Sequence, residues 1–182
     1  MEAVSGYPAG SSEDREMLKK METEKLLDYF FLQIRNLWRV DGLYFLGIEK
    51  KFGTEAATEI DAGVWEAMAG IEAKTLQKMF GVGEKPDVPT ILDLLRRSSW
   101  ALDQPFKTIE ISSKKAVLGI DRCRTQETRV SKGLEEFPCK RVRFGYLKNF
   151  AKTLNPDVKV DCRVCPPDKH PEKSWCKWEF TL

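Results

Sequence analysis

Histidine is almost missing from this chain: His170 is the single imidazole in 182 residues. A di-iron helix bundle, which draws Glu-x-x-His motifs from its helices, is therefore excluded. No apolar stretch approaches the roughly 20 residues needed to cross a bilayer. No basic run exceeds two residues, and there is no zinc-finger spacing, no glycine-rich or aromatic-rich RNA signature and no internal repeat. The opening MEAVSGYPAGSS has no basic region followed by an apolar one. A secretory leader is thus not expected, and the chain reads as cytoplasmic, with no membrane partner.

What is present suits one folded unit. The 42% hydrophobic and 32% charged residues are those of an ordinary globular protein, and a chain of this length buries enough surface to fold without staples. The net charge of +2 conceals an asymmetry: residues 1–104 carry 13 Lys/Arg against 18 Asp/Glu, and residues 105–182 carry 17 against 10. A basic half can signal nucleic acid. Here the basic residues are dispersed, Lys140, Arg141, Arg143, Lys148 and Lys152 along an expected helix and Arg122, Arg124 and Arg129 along an expected strand. A solvated basic face is the favoured reading, and nucleic acid is disfavoured.

The pattern along the chain predicts an α+β fold. Residues 1–11 read as a flexible lead and 12–182 as a single domain, with a helical part to 104 and a sheet part from 105. Ser11 or Ser12 can cap a first helix that begins with Glu13 and Asp14. Leu26, Phe30, Ile34, Leu37, Trp38, Leu43, Phe45, Leu46, Ile48 and Phe52 make a region expected to be mostly inside. Gly53 reads as a C-cap, and Thr54 opens a helix with Ile60, Val64, Met68, Ile71, Thr75 and Met79 on one stripe. A shorter helix spans 90–100. After Pro105 the period changes to alternation: strands 106–112 and 115–128, a helix 139–154, then strands 158–165 and 174–182. The sheet part is β-β-α-β-β, an antiparallel sheet of about four strands.

Chemistry concentrates in CRVCPPDKHPEKSWCKWEF, residues 162–180, which holds three of the five cysteines, the histidine and two of the five tryptophans. In a reducing compartment an odd cysteine count argues for free thiols, a metal or redox chemistry. Cys162-x2-Cys165 is a spacing that can chelate zinc, with Cys176, Cys139 or His170 as further ligands. A regular strand would turn Cys162 and Cys165 to opposite sides, which a bulge would repair. Packed thiols are the bland alternative. Cys139, at a helix start beside Lys140 and Arg141, is the candidate nucleophile, and His170 is its only candidate imidazole partner. Asp41, Glu49, Glu59, Asp61, Glu66 and Glu72 read as solvated charges, with Asp41 a candidate to bridge inside the helices. Trp38, Trp65 and Trp178 are candidate walls of an apolar pocket.

The stretches LWRVDGLYFLGIEKKFGTEAATEIDAGVWEAMAGIEAKTL (37–76) and FPCKRVRFGYLKNFAKTLNPDVKVDCRVCPPDKHPEKSWCKWEF (137–180) resemble an uncharacterised family of bacterial and archaeal cytosolic proteins. More remotely, the closing Trp-Cys-x-Trp-x-Phe strand and the cysteine at a helix start are similar to the L-2-amino-thiazoline-4-carboxylate hydrolases. They are also similar to vinyl-reductase-type small-molecule-binding domains, some of which hold zinc through cysteines near the C-terminus. Both likenesses imply a buried pocket between helices and sheet. The expected function is small-molecule binding beside a cysteine cluster that is structural or holds zinc. The alternative is a hydrolase of a small cyclic amide or thiazoline-like ring with a cysteine nucleophile. The oligomeric state is open.

Overall fold

A computed structural model describes residues 10–182, so most of the expected lead lies outside the described residues. The first helix, α1 (Ser12–Lys19), opens with a capping box: Ser11 Oγ accepts from the Asp14 N–H at 3.0 Å, and the Asp14 carboxylate accepts from Ser11 N–H at 3.4 Å. Two long helices follow, α2 (Thr23–Phe52) and α3 (Thr54–Met79), separated by Gly53. At φ +88° Gly53 occupies backbone space that side chains rarely tolerate, which is why glycine stands at the corner. In place of one helix over 90–100 there are two, α4 (Val88–Arg96) and α5 (Ser99–Leu102). Ser98 divides them, since its hydroxyl accepts from Ala101 N–H and starts a new turn.

The second half gives β1 (Lys107–Ile111), β2 (Lys115–Ile120), α6 (Arg124–Ser131), α7 (Cys139–Leu154), β3 (Lys159–Val164) and β4 (Cys176–Thr181). The sheet is antiparallel throughout, in the order β1-β2-β4-β3. The second strand ends at Ile120, eight residues earlier than the alternation suggests, and Arg124 and Arg129 lie on a helix. That helix is fixed by tertiary ties: Gln126 and Arg129, three apart on one face, both turn inward and bond to neighbouring segments.

The sheet turns Ala116, Leu118 and Ile120 of β2 and Cys176, Trp178 and Phe180 of β4 into the core. Register sets Leu118 opposite Trp178 and Ile120 opposite Cys176. Helix α7 packs on β3, α3 packs on α7, and α2 packs on α3, so one hydrophobic core joins the helical and sheet parts. The α3–α7 contact is close because α3 presents Ala62, Ala69 and Ala73, all buried. A Cβ on Gly145 would sit 3.4 Å from the Glu66 carboxylate, and one on Gly70 would sit 3.4 Å from the Asn149 amide.

This small-residue face, and not the stripe of larger apolar side chains, is the one that α3 buries. Ile60, Val64, Ile71 and Met79 are exposed, and Ala57, Ala62, Trp65, Ala69 and Ala73 are inside. Close approach to α7 selects the small side chains, leaving the larger apolar stripe outward. On α2 likewise, Phe30, Leu37, Leu43 and Phe52 are exposed, while Trp38 and Phe45 are buried. Among the described residues no helix is long and apolar enough to cross a membrane.

Candidate functional site

Helix α7 carries a charge on its apolar stripe. Val142, Tyr146, Leu147, Phe150, Ala151 and Leu154 follow the helical period into the core, and Arg143 sits among them, 4% exposed. Its guanidinium carbon lies 5.0 Å from the ring centres of Trp65 and Trp100, 5.1 Å from that of Tyr146 and 5.4 Å from that of Trp38. Trp38 and Trp65 are stacked at 4.7 Å and 4°, while Tyr146 meets Trp65 and Trp100 edge-on. Four rings thus box in one cation, a favourable arrangement for a desolvated guanidinium. Yet its Nε and Nη1 are buried with no hydrogen-bond partner.

Two carboxylates face the same box. Asp41 of α2 accepts from Trp65 Nε1–H at 3.0 Å. Burial pushes its pKa up, against that hydrogen bond and the Arg143 charge. Asp61 of α3 is pushed up to about 7 by burial first and by the Asp41 charge second, the Arg143 charge opposing. The sequence pattern places both among the solvated charges, and only the bridging role suggested for Asp41 is met.

Beside the box opens a cavity of about 330 Å³, walled by Trp38, Asp41, Asp61, Trp100, Gln104, Cys139 and Arg143, with Phe45, Phe137 and α6 closing the far side. Gln126 braces that side: its amide donates to Phe137 O at 2.8 Å and its carbonyl accepts from Phe137 N–H at 2.7 Å. Arg129 forks onto Glu49 at 2.9 Å through both terminal nitrogens. Gln126 and Arg129 are thus fully partnered, whereas Arg124 Nε on the same helix is buried without one. Gln104 Oε1 is also buried and unpartnered, like the two Arg143 nitrogens.

The cysteines lie against the inner wall. The backbone N–H of Lys140 donates to Pro166 O at 2.8 Å, tying the start of α7 to the turn after Cys165. The register slips between Cys162 and Val164, so the bulge that lets Cys162 and Cys165 converge is present. The Cys139, Cys162 and Cys176 thiols lie close enough to Cys165 to act on its ionisation. Those neighbours, and burial after them, hold Cys165 far above the ordinary thiol range. The same proximity lowers Cys139 and Cys162, with the Arg143 charge assisting at Cys139 and the Lys140 charge at Cys162. Cys123, the N-cap of α6, is pushed up to about 12 by burial and then by the Cys139 sulfur. All five cysteines are free. Of the five candidate metal ligands, the four cysteines lie near one another and His170 stands apart from them. Even so, among the described residues no group of three or more His, Cys, Asp or Glu side chains is arranged to hold a metal ion.

The other candidates divide. Trp38 lines the cavity; Trp65 stands behind it in the aromatic box. Trp178 is fully buried, stacked on Phe144 at 6.0 Å, and belongs to the sheet core rather than a pocket wall. His170 packs on Trp175 at 4.7 Å, with Nδ1 at 3.1 Å from Pro171 O and Nε2 at 3.2 Å from Glu136. Burial depresses its pKa, but those two contacts outweigh burial and raise it overall. Both ring nitrogens are engaged there, which leaves neither for Cys139. Arg143 departs from the solvated basic face on which composition alone places it. Its signal is nevertheless in the sequence, because it stands between Val142 and Tyr146 on the helical apolar period.

Comparison with known proteins gives one family. Residues 19–182 match a family of unknown function (DUF6125). The chain belongs to that family. No curated protein matches the chain.

Proposed function

We propose that this DUF6125 protein binds a small organic carboxylate with a flat apolar body, held in the cavity between α2, α6 and α7. One observation carries the reading: a buried arginine with two nitrogens facing no partner, inside an aromatic box that opens on a cavity. A buried N–H without an acceptor costs free energy even beside Asp41, Asp61 and four aromatic rings, and a carboxylate that accepts from one of the unpartnered nitrogens removes that cost. Trp38 and Trp100 supply apolar faces for the ligand body, and Gln104 Oε1 is an acceptor for one donor on it. Asp61, able to carry a proton near neutrality, keeps the box from filling with negative charge.

The gathered cysteines brace the inner wall by joining the start of α7 to the β3–β4 hairpin. Four sulfurs including a Cys-x2-Cys pair match a structural zinc site in composition, although they are not arranged as one here. Metal analysis of the purified protein decides the brace: about one zinc per chain makes it metal-held, and none makes it a thiol network. A second reading is favoured by Cys139, which lines the cavity with a lowered pKa beside Arg143. There its thiolate would add to the carbonyl carbon of a bound cyclic amide, the ring C–N bond would break with the nitrogen taking a proton from water, and hydrolysis of the resulting thioester would free the thiol again. Cys139→Ser separates the readings, since it would leave carboxylate binding intact and abolish any ring opening. The binding proposal itself is tested by tryptophan fluorescence with benzoate, phenylacetate and indole acetate against their neutral amides. Saturable carboxylate-selective changes support it; equal responses to acids and amides contradict it.

A further inference from the structure

Helix α2 is apolar where none of the described residues covers it. Leu27, Tyr29, Phe30, Phe31 and Leu32 are each 41–47% exposed, on more than one face of the helix. Further along, Leu37, Val40 and Tyr44 of α2 and Ile60 and Val64 of α3 line an apolar groove of about 380 Å³. The chain carries both an apolar projection and an apolar groove, and α2 is one unbroken helix from Thr23 to Phe52. A rigid rod cannot fold its first half into a groove built from its second half. Among the described residues nothing covers either surface, and a second molecule can.

The spacing identifies that molecule. Phe30, Leu37 and Tyr44 recur at seven residues, with Val40 between, which is a seam for helix pairing. The seam is its own complement when reversed: with a two-fold axis beside Leu37, Phe30 of one helix meets Tyr44 of the other, and Leu37 meets Leu37. The area is also right. The six side chains of the seam and groove, Phe30, Leu37, Val40, Tyr44, Ile60 and Val64, are about half exposed, and at on the order of 100 Å² apiece they present roughly 600 Å², the lower end of the share one partner gives to a stable interface.

We propose that the protein is a two-fold symmetric homodimer in which α2 of each copy lies antiparallel in the α2–α3 groove of the other. The groove shares Asp41, Phe45 and Asp61 with the ligand cavity and holds none of the cysteines. Sedimentation equilibrium should give twice the 20.9 kDa chain mass. Leu37→Cys, under mild oxidation, should yield a double-mass band on non-reducing gels that the wild type does not give. Phe30→Glu and Tyr44→Glu, at side chains already exposed, should each raise the dimer dissociation constant by roughly 30-fold or more while leaving the thermal midpoint of the dissociated chain unchanged. A wild-type monomer at its highest soluble concentration would overturn the proposal. So would a dimer that Leu37→Cys fails to cross-link, or a monomer that co-sediments with phosphatidylcholine vesicles through these side chains.

Discussion

Replacing Asp61 by Asn should change how stability depends on pH more than it changes the structure. In the folded protein Asp61 takes its proton near pH 7, against 3.8 for an unperturbed carboxyl, because burial and the neighbouring Asp41 disfavour its charged form. A carboxyl whose folded pKa is raised binds more protons folded than unfolded. Its contribution is therefore neutral below about pH 4, becomes progressively unfavourable as pH rises from 4 to 7, and is constant above that. Each pH unit between the unfolded and folded pKa costs about 1.4 kcal/mol, so the interval amounts to about 4 kcal/mol at most, and roughly 2–3 kcal/mol of it falls between pH 5 and pH 8. Asparagine keeps the shape and cannot ionise. Urea unfolding at pH 5, 6, 7 and 8 should show the wild type losing stability across this window and Asp61→Asn losing much less, with a residual slope from Asp41, also raised by burial. Parallel profiles for the two proteins would refute the desolvation of Asp61 beside Asp41 and Arg143.

Alkylation of the native protein should label Cys162 first, because it is only half buried and its thiolate is favoured, while Cys165 and Cys176 react only on unfolding; mass spectrometry of timed samples reads the order. Ala69→Leu, at a fully buried position facing α7, should destabilise by about 1–3 kcal/mol through overpacking. The same urea series detects it, and an unchanged midpoint would mean that α3 and α7 are not in close contact.

The order of elements is legible in the sequence because each follows from local chemistry. The capping serine, the glycine at 53, the helix over 139–154 and the two hairpins rest on signals within a few residues of one another. The stretch over 124–131 reads as strand and folds as helix because its helix depends on Gln126 and Arg129 reaching distant partners, which spacing does not reveal. The apolar faces of α2 and α3 mislead for a related reason. Each helix has two apolar faces, and only the partner, α7, decides that the alanine face of α3 goes inside. At the site, strand alternation and helix position bring Cys139, Cys162 and Cys176 to one side, whereas Cys165 joins them through the register slip after Cys162, which alternation does not reveal. The assembly of Asp41, Asp61 and Arg143 is not legible either, because three separate helices bring it together.

Isothermal titration of the wild type and Arg143→Met with the aromatic acid that binds best, and with its amide, tests most directly whether Arg143 anchors a carboxylate. Removing one partner of a buried, hydrogen-bonded charge pair costs about 2–5 kcal/mol, so affinity for the acid should fall roughly 30-fold or more and the preference over the amide should vanish. An Arg143→Met protein that still binds the acid as tightly as the wild type would contradict the account.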